Sequence, residues 1–170
     1  MTKTTKKELD ILKVSGKVPV QSKDIENKIL GIMLLEPKAV PIVKDTLFAS
    51  DFYSESNKLI CQSIFDVYKT TIPDVLMVCQ ELIKLGKIED AGGVFAVSKL
   101  INDIIITPHT MQSIRQYCLV IKKHSIQRKL SEYGIEIASK SYDETQDTLD
   151  LLTEAKNKIN AINNEIAALE

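Results

Sequence analysis

Tryptophan is absent from this 170-residue chain, and only five tyrosines and four phenylalanines supply aromatic bulk. Six glycines and five prolines are few turn-formers. That scarcity excludes an architecture of many short strands joined by tight turns and favours helices. The three cysteines, Cys61, Cys79 and Cys118, are odd in number, widely spaced and set among apolar residues. No Cys-x-x-Cys spacing occurs, so neither a zinc ligand set nor a disulfide framework is indicated, and buried reduced thiols are expected. No apolar run reaches the roughly 18 residues that a membrane-spanning helix needs. The first residues are rich in Lys and Thr and lack an apolar signal core, so no secretion signal is read there and a cytoplasmic location is expected. The formal charge of −1 argues against a strongly basic nucleic-acid-binding domain, leaving only a local patch open.

Chemistry-bearing patterns are equally sparse. A phosphate-binding loop needs spaced glycines followed by Lys and Ser or Thr, so that backbone amides can approach the phosphates. The two Gly-Lys pairs, Gly16-Lys17 and Gly86-Lys87, have neither feature. His109 and His124 lie far apart without triad partners. Gly92-Gly93 has no preceding strand and reads as a helix-opening turn. No catalytic residue, cofactor site or metal site is therefore assigned, and the chain is not expected to be an enzyme by itself.

What is present is helical patterning. Residues 1–20 read as a flexible tail, with five lysines against Glu8 and Asp10. Residues 21–108 read as a small helical globule. Ser22 precedes a helix carrying Ile25, Ile29, Leu30, Ile32 and Met33 that ends near Glu36-Pro37. Ala39 to Leu47 forms a second helix. Ser54 starts a third, with Leu59, Ile60, Ile64, Val67 and Tyr68 inward. Asp74 caps a fourth, lined by Val75, Val78, Leu82 and Leu85, and Gly86 supplies its left-handed end. A fifth follows Gly92-Gly93, and Ile104-Ile105-Ile106 is a short buried strand or a tucked loop.

Residues 109–170 carry the clearest pattern. Leu152, Ala155, Ile159, Ile162, Ile166 and Leu169 recur at spacings of three and four, the narrow stripe of a helix packed lengthwise on another. An earlier long helix carries Ile114, Cys118, Ile121, Leu130, Tyr133 and Ile137. Between them Ser141-Tyr142-Asp143-Glu144-Thr145 favours a turn. The expected architecture is all-α, a helical globule followed by a long antiparallel hairpin. Two helices alone bury little, so the hairpin needs a partner. Leu130, Tyr133, Ile137, Leu152, Ile159, Ile162 and Ile166 are expected to divide between hairpin core and a protein interface. Lys122, Lys123, Arg128 and Lys129 form the strongest basic cluster, a candidate contact patch.

The order of these motifs resembles the N-terminal domain of the DnaB family of replicative DNA helicases. The resemblance runs from about Pro19 to Ile162. It is carried by Ile25-Glu26 with Ile29-Leu30-Gly31-Ile32-Met33-Leu34, then Asp51-Phe52-Tyr53 with Ile64-Phe65, Pro73-Asp74-Val75, and Leu85-Gly86-Lys87-Ile88-Glu89 with Gly92-Gly93. Thr107-Pro108, Tyr117, Val120-Ile121, Arg128-Lys129-Leu130 and Glu136-Ile137-Ala138 complete it. The chain departs from the family pattern at Asn57, where the family has histidine, at the shortened Pro73-Asp74 segment and at Val94. The resemblance implies an N-terminal collar on a hexameric ring, assembled as a trimer of dimers through paired hairpins, which binds primase and, in some members, a helicase loader. It also implies that an ATP- and magnesium-using motor domain follows in the parent protein, residue 170 lying near the linker to it. The competing readings are a stand-alone, phage-type adaptor that binds or regulates a replicative helicase, and a DNA-binding module using the basic cluster.

Overall fold

Seven α-helices and one 3-10 turn account for the regular structure of the described residues, and no strand is found among them. The computed structural model describes residues 18–102, 104 and 110–167. The tail residues before 18, His109, Ile105, Ile106 and Leu169 lie outside the described residues. In chain order the helices are α1 (Lys23–Leu35), α2 (Ala39–Thr46), the 3-10 turn (Ala49–Asp51), α3 (Glu55–Tyr68), α4 (Val75–Lys84), α5 (Gly93–Asn102), α6 (Met111–Ser141) and α7 (Thr148–Ala167). All-α architecture is thus observed.

The chain forms two compact units, one of residues 21–125 and one that includes residues 126–167 with the short segment 18–20. The boundary differs from the expected one near residue 108. Ile114, Cys118 and Ile121, in the first half of α6, are buried in the globule's core, so that half of the helix belongs to the globule. Helical periodicity is the same on both sides of Ser125, and it carries no mark of the change in surroundings.

In the globule α1 is central, packing on α2, α3 and α5. Ile29, Leu30, Ile32 and Met33 are wholly buried. Six consecutive buried positions, Ile29 to Leu34, require neighbours on more than one side of the helix. Gly31 is what allows α5 so close. A Cβ there would collide with the carbonyl oxygen of Leu100 and lie 2.7 Å from Ile104 Cγ1.

Local chemistry sets the helix ends. α1 stops at Leu35, two residues before Pro37, with Glu36 as its C-terminal cap. The Asp74 side chain accepts from the Met77 amide at 2.8 Å and starts α4 as expected. α4 ends in a Schellman arrangement, with Lys87 N donating to Leu82 O and Gly86 N to Ile83 O, and Gly86 at φ +66°. Gly86→Ala is expected to cost about 1 kcal/mol in chemical denaturation, since a Cβ disfavours that region whatever the space around it. Leu85, expected inward, caps α4 and is exposed, and Tyr68, at the last residue of α3, is partly exposed.

Candidate functional site

Two polar clusters are buried in the globule, and both begin at the Asp51-Phe52-Tyr53 segment. The Glu26 carboxylate, on the first turns of α1, accepts from Tyr53 N at 2.6 Å, Ser54 N at 3.4 Å and Asn57 Nδ2 at 3.0 Å. Ser54 sits at the cap position of α3 but makes no side-chain cap bond, so Glu26 reaches across from another helix to satisfy the amides there. Asn57 also donates to Asn27 Oδ1 at 3.0 Å, which makes it a buried bracket between α1 and α3. Asp51 forms the second cluster. It accepts from Phe48 N, from Ser125 Oγ at 2.7 Å and from Lys122 Nζ at 3.0 and 3.3 Å.

This second cluster corrects the expected basic patch. The Lys122 residue is only 3% exposed and its ammonium is paired inside the globule, so it cannot serve a surface contact. Lys129 pairs with Glu165 at 2.7 Å, Arg128 donates to the carbonyl of Val20, and Lys123 is exposed. The four cations of this cluster therefore have four different surroundings. His124 is half-buried. The three thiols are buried as expected, and burial pushes the Cys118 thiol up to about 12, too high for a reactive thiolate at neutral pH. Among the described residues no cluster of metal-binding side chains occurs, and no helix is long and apolar enough to cross a membrane.

The hairpin is antiparallel, and its register can be read from cross-helix pairs. Lys129 meets Glu165, Glu136 meets Lys158, and Lys140 meets Glu154, at 2.7, 2.7 and 2.6 Å. Advancing eleven residues along α6 moves the partner eleven back along α7. Lys158 and Lys140 each also contact the other's partner, and Lys158 lies 5.3 Å from the centre of the Tyr133 ring. At the turn, the Asp143 carboxylate accepts from the Thr145 amide and hydroxyl, and Asp147 accepts from the amides of Leu149 and Asp150 to open α7. Ser141 to Thr145 thus breaks the two helices as the sequence predicts.

Charge dominates this seam. Hydrogen bonds from Lys140, then from Lys158, bring the Glu154 carboxyl down to about 2, and Lys158, then Lys140, lowers Glu136. The same contacts raise Lys140, chiefly through Glu154, and Lys158, chiefly through Glu136. A carboxylate whose folded pKa is depressed contributes stability above its unfolded pKa and loses it as pH falls through the folded value. The cross-helix pairing is therefore expected to be intact at pH 6 and to be lost progressively from about pH 4.5 down to about pH 2. Lys140→Gln is expected to weaken that acid transition. Hairpin amide exchange followed against pH, with the globule's amides as reference, measures both effects.

The apolar residues of the hairpin separate in a way that spacing alone does not reveal. Ile162 is buried, while Tyr133 and Ile137 are half-buried. Leu152, Ile159, Ile166 and Leu130 are 66, 42, 41 and 43% exposed. A three-four stripe consists of two parallel lines roughly 50° apart on the helix surface. Ala155, half-buried, and Ile162, buried, form one line. Leu152, Ile159 and Ile166, seven residues apart, form the other, which the hairpin leaves at the surface, with Leu149 beside it. The stripe thus has a more buried line and an open line.

The described residues thus form an all-helical globule and a charged antiparallel helical hairpin with one open apolar line. Residues 18–123 match the family of the DnaB-like helicase N-terminal domain, and the chain belongs to that family. It is 26% identical over 147 residues to the replicative DNA helicase DnaC of Bacillus subtilis, covering 86% of this chain and 32% of that protein. It is 28% identical over 146 residues to the replicative DNA helicase DnaB of Geobacillus stearothermophilus, covering 85% of this chain and 31% of that protein. Among solved structures it is similar to the N-terminal domain of DnaB helicase from Mycobacterium tuberculosis, with a TM-score of 0.76, 26% identity and coverage of 84% of this chain and 99% of that one. The chain spans about a third of the length of these two full-length relatives.

Proposed function

We propose that this chain acts as the N-terminal collar of a hexameric replicative DNA helicase, pairing through its hairpin with a second copy and offering the assembled collar to primase and, in some settings, to a helicase loader. The observation that carries the reading is the open line Leu152, Ile159, Ile166. Contiguous apolar side chains at the surface of a soluble domain mark contact sites, and a line at seven-residue spacing suits lengthwise packing on another helix. Membership in a family whose full-length relatives are named replicative DNA helicases supports a motor domain elsewhere in the parent protein as the ATP-using part. The adaptor reading shares this surface but places the motor in a different protein. The reading of the basic cluster as a DNA contact is weakened by the burial of Lys122 and the pairing of Lys129.

Light scattering across a concentration series tests the proposal. Dimers or hexamers are expected as concentration rises, and a monomer throughout would contradict self-pairing by this stretch. If assembly occurs, co-elution with a purified bacterial primase separates the collar from a passive spacer.

A further inference from the structure

Asp51, Lys122 and Ser125 form a polar cluster with an unusual position: it closes the globule at the last residue of that unit. Asp51 is wholly buried, and Lys122 and Ser125 are each 3% exposed. The Lys122 ammonium lies 3.0 Å from Asp51 Oδ2, and the Ser125 hydroxyl lies 2.7 Å from Asp51 Oδ1. Oδ2 also accepts from Phe48 N at 2.9 Å, which fixes the carboxylate to the 3-10 turn. The Lys122 ammonium is 5.4 Å from the centre of the Phe48 ring. Three residues apart, Lys122 and Ser125 occupy neighbouring places on one face of α6. Both bind one fixed carboxylate.

Apolar contacts hold the same stretch of α6 without giving it a unique setting. Ile114, Cys118 and Ile121 fill the core, but side chains of that kind tolerate small rotations and slips of a helix. A buried ion pair adds little net stability, because desolvation offsets the attraction, whereas a rotated helix would break the Asp51–Lys122 pair inside the globule at large cost. We infer that the Asp51–Lys122–Ser125 cluster is a latch that fixes the rotational setting of α6 on the globule rather than a source of its stability.

A double-mutant cycle combined with spin-label distances tests the latch. Lys122→Met takes the ammonium away from a buried carboxylate and is expected to lower the melting temperature by about 10–20 °C. Adding Asp51→Asn removes that charge while keeping an acceptor for Phe48 N, and should return the melting temperature to within about 5 °C of the parent. Nitroxides on Arg115→Cys or Lys123→Cys, each paired with one on Gln62→Cys, report the rotation of α6. The native thiols are buried and do not compete. Narrow distance distributions are expected in the parent, and broadened or split ones in the folded double variant. Distributions as narrow as the parent's, at the same distances, would overturn the inference. So would a double variant that is no more stable than Lys122→Met or that fails to fold, since the pair would then be supplying stability. All labelled positions lie in the globule, so the result is independent of whether the hairpin self-associates.

Discussion

Gly31→Ala is expected to destabilise the globule by about 3 kcal/mol, more than most surface substitutions in the chain would. The cause is the contact between α1 and α5. A methyl at Gly31 would overlap the carbonyl oxygen of Leu100, which is backbone and cannot rotate away, and would also crowd the Ile104 side chain. Overpacking in a close-packed interior is relieved only by moving the helices apart. That movement opens voids around Leu30, Ile32 and Leu100, so the cost exceeds the intrinsic gain of about 1 kcal/mol that alanine brings to a helix interior. Urea denaturation followed by circular dichroism measures it. A variant as stable as the parent would show that α1 and α5 are not held at this separation. Gly31 sits in the helix interior among buried apolar residues, where propensity alone favours alanine.

Aspartate on the open line of the hairpin is expected to have the second large effect. If the hairpin pairs as proposed, Ile159→Asp should weaken self-association at least about 100-fold, because it would place a charge in the middle of that contact. The isolated hairpin should survive, since Ile159 is already partly exposed and the cross-helix ion pairs do not involve it. Ile162→Asp is expected to behave differently. Its side chain is buried, and a carboxylate there would cost several kcal/mol and loosen α7. Analytical ultracentrifugation with circular dichroism separates the two cases: loss of mass with helicity kept for Ile159→Asp, and loss of helicity for Ile162→Asp.

The helices and their ends were largely legible in the sequence because they rest on local rules. Pro37, Asp74, Gly86 and the Ser141–Thr145 break each act within a few residues of where they stand. The order of motifs also identified the family, although no single motif is specific. What was not legible depends on long-range partners. Nothing near Ser54 indicates that Glu26, twenty-eight residues earlier, supplies the acceptor there. Lys122 looks like its neighbours Lys123 and Lys129 until Asp51, seventy-one residues away in sequence, takes its charge inside. Periodicity found the apolar residues of α7 but could not separate Ile162 from Ile159. A second helix, held by Lys-Glu pairs in a particular register, decides which line is covered. In each case the missing information is the partner, and the signal that could have pointed to it is a charged residue next to apolar ones, as Asp51 is beside Phe52-Tyr53 and Glu26 is one helical turn before Ile29 and Leu30.

The central claim is that the line through Ile159 is covered by a second copy of the chain. Maleimide labelling of Ile159→Cys, compared with Asn157→Cys on an exposed flank of the same helix, tests it most directly, because the three native thiols are buried. The rate at position 159 is expected to fall several-fold as concentration rises through the range where mass increases, while the rate at position 157 stays constant. Equal and concentration-independent rates at both positions, in a sample shown to be oligomeric, would contradict the claim and place the contact elsewhere.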